Sequence, residues 1–137
     1  MAENKPQVQC RVRVTRGEDI ALGPGKMQLL AAIAAAGSIS GGAREMRMSY
    51  RRAWLLVETM NSCFQTPLVE TATGGRAGGG AQLTAEGRKV LEGYQAMLRD
   101  VDQVAQQHLS RLLKNSPLAP EAAHNEAFGE PKKPHSP

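Results

Sequence analysis

Four arginines, Arg44, Arg47, Arg51 and Arg52, fall within nine residues, and a fifth, Arg76, sits in a loop, Thr73-Gly-Gly-Arg-Ala-Gly-Gly-Gly-Ala81, that holds five glycines. Guanidinium groups set this densely either coat a solvated helix face or meet an anion. Ser49 and Tyr50 stand between them, and Ser49 is the type of residue that caps a helix, where the first backbone N–H groups already favour negative charge. Arg51 and Arg52 can bond a guanine edge bidentately or only hold phosphates, and residue type leaves both open. Trp54 can press on sugar and phosphate, or fill space between its helix and the glycine loop. Glycines with no side chain let backbone amides lie close to a phosphate ribbon, and Arg76 would be the charge such a loop delivers.

Other chemistries fit less well. The loop is not a nucleotide-binding phosphate loop, because Gly80 is followed by Ala-Gln rather than Lys-Ser or Lys-Thr, and no GxGxxG spacing is present. His108, His124 and His135 share no metal-ligand spacing with Cys10 or Cys63, so neither a metal nor a cofactor is expected. The two cysteines form no CxxC pair and read as reduced thiols of a cytosolic protein. Met46, Met48, Met60 and Met97 fall at core positions. No nucleophile, base and orienting acid follow from local spacing, so no enzyme activity is expected. The N-terminus lacks the basic-then-apolar layout of a signal peptide and no apolar run reaches membrane length, so a cytoplasmic protein without a membrane span is expected. The net charge of +4 suits a polyanionic partner such as nucleic acid.

The elements that would hold these groups can be read from periodicity. Residues 8–16 alternate apolar and polar, the period of a half-buried strand, and with a turn at 17–19 and a return at 20–22 predict a hairpin. Met27, Leu29, Leu30, Ile33 and Ala34 recur at helical spacing after Pro24 and before Gly37, a C-terminal cap. Ser38 and Ser40 are N-cap candidates for a short helix to about Met46, and Ser49 caps a third with Ala53, Leu56, Val57, Met60 and Phe64 on one face, ended by Pro67. Two helices about three residues apart fit a helix-turn-helix. A strand over 68–71, the glycine loop and a strand over 82–84 follow, with Thr84 capping a helix that runs to about residue 113. Its apolar positions Leu91, Tyr94, Leu98, Val101, Ala105, His108 and Leu112 alternate steps of three and four, a face for its own domain along one edge and a second copy along the other. Gly87 and Gly93 weaken its first turns. His108 reads as packed or dimer-facing.

The expected fold is mainly α with small β: an N-terminal hairpin (1–22), a winged helix-turn-helix (23–84), a long dimerisation helix (85–114) and a tail (115–137) too poor in aliphatics to order itself alone. In this layout the third helix enters the major groove of double-stranded DNA and the hairpin tip follows the backbone or the minor groove.

Gly37-Ser38-Ile39-Ser40, Ser49-Tyr50 with Ala53-Trp54, Met60-Asn61 and the wing from Thr71 to Gly80 with Leu83-Thr84 resemble, over about residues 20 to 113, the DNA-binding domain of the ModE-type molybdate-responsive regulators. The helix-turn-helix is also similar to that of LysR-type regulators. The resemblance implies a winged-helix homodimer on a palindromic operator, repressing or activating transcription, with a DNA-facing set of Ser38, Ser40, Arg47, Ser49, Tyr50, Arg51, Arg52, Trp54 and Arg76. Full-length ModE proteins carry C-terminal oxyanion-binding domains; here a tail follows the long helix, so a stand-alone DNA-binding member is expected, with its effector left open. Two other classes remain: a dimeric protein-interaction scaffold of winged-helix fold, and a small oxyanion sensor using the dimer interface.

Overall fold

A computed structural model describes residues 5–72 and 79–120. Its elements, in chain order, are β1 (Val14–Arg16), β2 (Asp19–Leu22), α1 (Pro24–Ala36), α2 (Ile39–Glu45), α3 (Tyr50–Cys63), β3 (Val69–Ala72), β4 (Gly80–Leu83) and α4 (Ala85–Asn115). Helices followed by a two-stranded wing and a long terminal helix make this the expected mainly helical winged helix-turn-helix. The described residues divide into two compact units, residues 9–102 and a second made of residues 5–8 with 103–120.

The core gathers one face from each element. Met27, Leu29, Leu30 and Ile33 of α1 meet Ile39 and Ala43 of α2, Ala53, Val57 and Met60 of α3, and Leu68, Val69, Ala81 and Leu83 of the wing; Tyr94 of α4 completes the cluster. Met46, Met48, Leu56, Phe64 and Met97 are half-buried against it, as their spacing predicts. Ala34, expected on the α1 core face, is exposed. It lies on the Met27–Leu30 side of the helix but in its last turn, where it borders an open concavity beside Glu70, Thr71 and Gln82 instead of the core.

Helix ends follow the sequence signals. Pro24 occupies the first turn of α1, and Gly37 closes it in the left-handed region at φ 78°. The Ser38 hydroxyl oxygen accepts from the Gly41 N–H at 2.9 Å, so Ser38 rather than Ser40 is the α2 cap. Thr84 caps α4 by accepting from the Gly87 N–H at 2.9 Å, while its own hydroxyl donates to the Pro67 carbonyl at 2.7 Å. α3 stops at Cys63, ahead of Pro67, because Asn61 draws the chain away from the helix into the wing.

Two strands are shorter or shifted relative to expectation. Of residues 8–16 only Val14–Arg16 pair in a ladder, with a bulge between Val14 and Thr15 and a turn at Gly17 and Glu18. The alternation persists as burial, Cys10 and Val12 half-buried between exposed neighbours, because the segment packs by side chains instead of by strand pairing. The wing pairs Val69 with Leu83 and Ala72 with Gly80, one or two residues from the predicted spans. Leu68 and Thr84 continue the register by one bond, the Thr84 N–H donating to the Leu68 carbonyl, while the Leu68 N–H donates to Asn61 Oδ1 and leaves the ladder there.

Gly87 has a tertiary role. A Cβ on it would collide with the Leu68 carbonyl, so the bare backbone lets α4 dock where the wing begins. Gly93, by contrast, has open space around it.

Candidate nucleic-acid interface

The turn between α2 and α3 is built from backbone hydrogen bonds. The Met48 N–H donates to the Ala43 carbonyl at 3.0 Å and the Arg47 N–H to the Arg44 carbonyl at 3.1 Å, the paired bonds of a Schellman motif. Its left-handed position, normally glycine, is Arg47 at φ 56°. An L-residue with a Cβ is strained there, and Arg47 is the single non-glycine residue at positive φ among the described residues. The motif turns Met48 into the core and leaves the Arg47 side chain in solvent.

Ser49 then starts α3. Its hydroxyl oxygen accepts from the Arg52 N–H at 3.1 Å, which leaves its own O–H free to donate to an acceptor in front of the helix. With Ala53, Val57 and Met60 buried, the 100° step per residue aims Arg51 and Leu55 directly away from the core. Arg52 and Thr59 lie along one flank of that line, Tyr50 and Trp54 along the other. Tyr50 is 54 %, Trp54 41 % and Leu55 46 % exposed, so α3 presents apolar area as well as charge to solvent. Trp54 is therefore only partly enclosed. Ser49, Arg51, Arg52, Leu55, Leu56 and Thr59 line one shallow concavity of about 330 Å³.

Leu55 was not among the site residues expected from sequence. An apolar residue in an amphipathic helix reads as core, and only its angular distance from Ala53 and Val57 could have marked it as outward-facing. Asn61 was expected as part of a motif, without a role. Its Oδ1 accepts from the Leu68 and Val69 N–H groups at 2.8 and 3.1 Å, and its Nδ2 donates to the Val69 carbonyl at 3.1 Å, which fixes the wing to α3.

Of the remaining expected residues, Ser38 is half-buried in its cap and Ser40 is exposed in the first turn of α2, at the opposite end of that helix from the turn. Arg44 and Arg47 are exposed beside the turn. Arg76 lies outside the described residues. The wing sheet carries Glu70 and Gln82 on its exposed side, bonded at 3.1 Å, and together with Thr71 they help line a concavity of about 450 Å³. His108 is exposed on α4. Both cysteines are free and half-buried. Among the described residues no helix is long and apolar enough to cross a membrane, and no three His, Cys, Asp or Glu residues cluster as a metal site.

Residues 25–88 match the bacterial regulatory helix-turn-helix proteins of the lysR family. The chain is 47 % identical over 73 residues to the molybdenum-pterin-binding protein MopA of Rhodobacter capsulatus, covering 53 % of this chain and 28 % of that protein. It is 43 % identical over 82 residues to the DNA-binding transcriptional dual regulator ModE of Escherichia coli K12, covering 60 % and 31 % respectively. To the transcriptional regulator ModE of Haemophilus influenzae it is 35 % identical over 92 residues, 67 % of this chain and 34 % of the relative. The chain thus spans about a third of the length of the curated relatives it matches.

Proposed function

We propose that this protein is a sequence-specific DNA-binding transcriptional regulator, a reading supported by the match of residues 25–88 to the lysR-family helix-turn-helix and by the similarity to ModE-type regulators. α3 enters the major groove. Arg51 and Leu55 face base edges, the arginine suited to guanine O6 and N7 and the leucine to a thymine methyl. Ser49 and Arg47 bond phosphates on either side of the turn, and Tyr50 and Trp54 rest on the sugar-phosphate wall. Arg52 holds the opposite strand's backbone, and Arg76 engages the minor groove or its rim. Ser38 and Ser40 stand at the start of α2, where helix N-termini commonly meet phosphate.

The protein acts as a homodimer on a palindromic operator. α4 supports this reading, for it leaves Val101, Val104 and Leu112 exposed at 36, 53 and 56 %, apolar area that a second copy would cover. It works in the cytoplasm, where the DNA is.

The observation that carries the proposal is the outward line of α3: two arginines without a side-chain hydrogen bond or ion pair among the described residues, beside exposed apolar groups, on the face opposite the core. The test is a gel shift with genomic fragments selected by the wild-type protein. Arg51→Ala with Arg52→Ala removes the shift while circular dichroism stays native, because both side chains are exposed. A shift that survives the double substitution refutes the assignment of α3 as the reading helix.

A further inference from the structure

A second basic surface lies next to α3 and shares only Arg52 with the expected site. Arg11 and Arg13, from the segment preceding β1, share an open concavity of about 340 Å³ with Lys26 of α1 and Arg52 of α3; the remaining lining residues are Gly23, Pro24, Gly25, Met48 and Leu56. No carboxylate lines it. Arg11, Arg13 and Arg52 are exposed and make no side-chain hydrogen bond or ion pair among the described residues.

The arrangement is held in place. Tyr94, 3 % exposed, must find a partner for its buried hydroxyl, and it donates to the Val12 carbonyl at 2.7 Å. That bond pins the residue between the two arginines. Val12 packs on the core, so in an extended segment Arg11 and Arg13 both point the other way. Three exposed guanidinium groups without a side-chain partner among the described residues share this concavity, a setting that favours a chain of phosphates. Arg52 lines this concavity and also the one at the start of α3, so the positive surface is continuous between them.

We infer that Arg11 and Arg13 form a second phosphate-binding surface for duplex DNA, which extends the α3 footprint along the backbone from Arg52. The inference rests on the reading of α3 as the DNA-facing helix. It assigns the segment before β1 to the interface, as a sequence-independent clamp that adds affinity and sets register without reading bases.

The probe is a random-sequence duplex of roughly 40 base pairs, about four helical turns, with binding followed by fluorescence anisotropy as salt is raised. Replacing Arg11 and Arg13 by alanine lowers the slope of log K against log salt by about 1.8 and weakens binding about 60-fold near 0.1 M salt, the effect of two lost phosphate contacts. Arg11→Lys with Arg13→Lys keeps the slope. A wild-type protein that binds with a slope the double alanine variant does not change overturns the inference and leaves the α3 reading standing; a wild-type protein with no affinity for any duplex overturns both. A saturable complex with inorganic phosphate, lost in the alanine variant while its DNA slope is unchanged, overturns the inference in favour of a free anion.

Discussion

Arg47→Gly separates stability from binding at one residue. The left-handed backbone at Arg47, φ 56°, costs an L-residue about 1–2 kcal/mol, and glycine removes that cost. Glycine also gains freedom in the unfolded chain, which returns about 0.4–1 kcal/mol. The net effect is a stabilisation centred on about 0.8 kcal/mol, within a span of about 0–1.6 kcal/mol, or a rise in Tm of about 3 °C for a domain of this size. The backbone bonds of the turn involve no Arg47 side-chain atom, so nothing else in the fold is lost. Binding changes in the opposite direction: loss of one phosphate contact lowers the salt slope by about 0.9 and the affinity about 8-fold near 0.1 M salt. Arg47→Ala is the control, because it removes the guanidinium and keeps the Cβ; it weakens binding equally and brings no rise in Tm. Scanning calorimetry and a salt titration of anisotropy read both effects. A glycine variant that melts below wild type would refute the strained-turn argument, and one that binds DNA unchanged would remove Arg47 from the interface.

Two further outcomes follow from packing. Gly87→Ala drives a methyl group into the Leu68 carbonyl and lowers thermal stability by about 1–3 kcal/mol, whereas Gly93→Ala, in open space within the same helix, raises it by about 0.5–1 kcal/mol; equal responses in a melting experiment would contradict the docking of α4 on the wing. Val104→Asp with Leu112→Glu places charge on exposed apolar positions of α4, and sedimentation equilibrium should find dimer dissociation at least about 100-fold easier, since burial of each apolar side chain is worth about 1.5–3 kcal/mol. An unchanged association state would place the dimer interface elsewhere.

Local signals in this chain determined the helices and their ends. Pro24 and Gly37 bound α1, Ser38, Ser49 and Thr84 cap three helices, and apolar spacing marked the α3 core face, because capping and 3.6-residue periodicity depend on neighbours a few positions away. The order helix, turn, helix, wing and long helix was legible for the same reason, and with it the candidate DNA-facing arginines. What depended on distant residues was not. The strand over residues 8–16 was overextended because its alternation is satisfied by packing on the core and by the bond from Tyr94 to Val12, 82 residues away in the chain. Leu55 had no assigned role until the position of the core set it facing solvent, and Gly87 read as a weak point until the Leu68 carbonyl stood against it. Arg11 and Arg13 looked like the polar half of a strand; only the fold carries them, with Lys26, to the flank of Arg52. Sequence spacing specifies which way a side chain leaves its own element, and tertiary packing alone decides what that side chain meets.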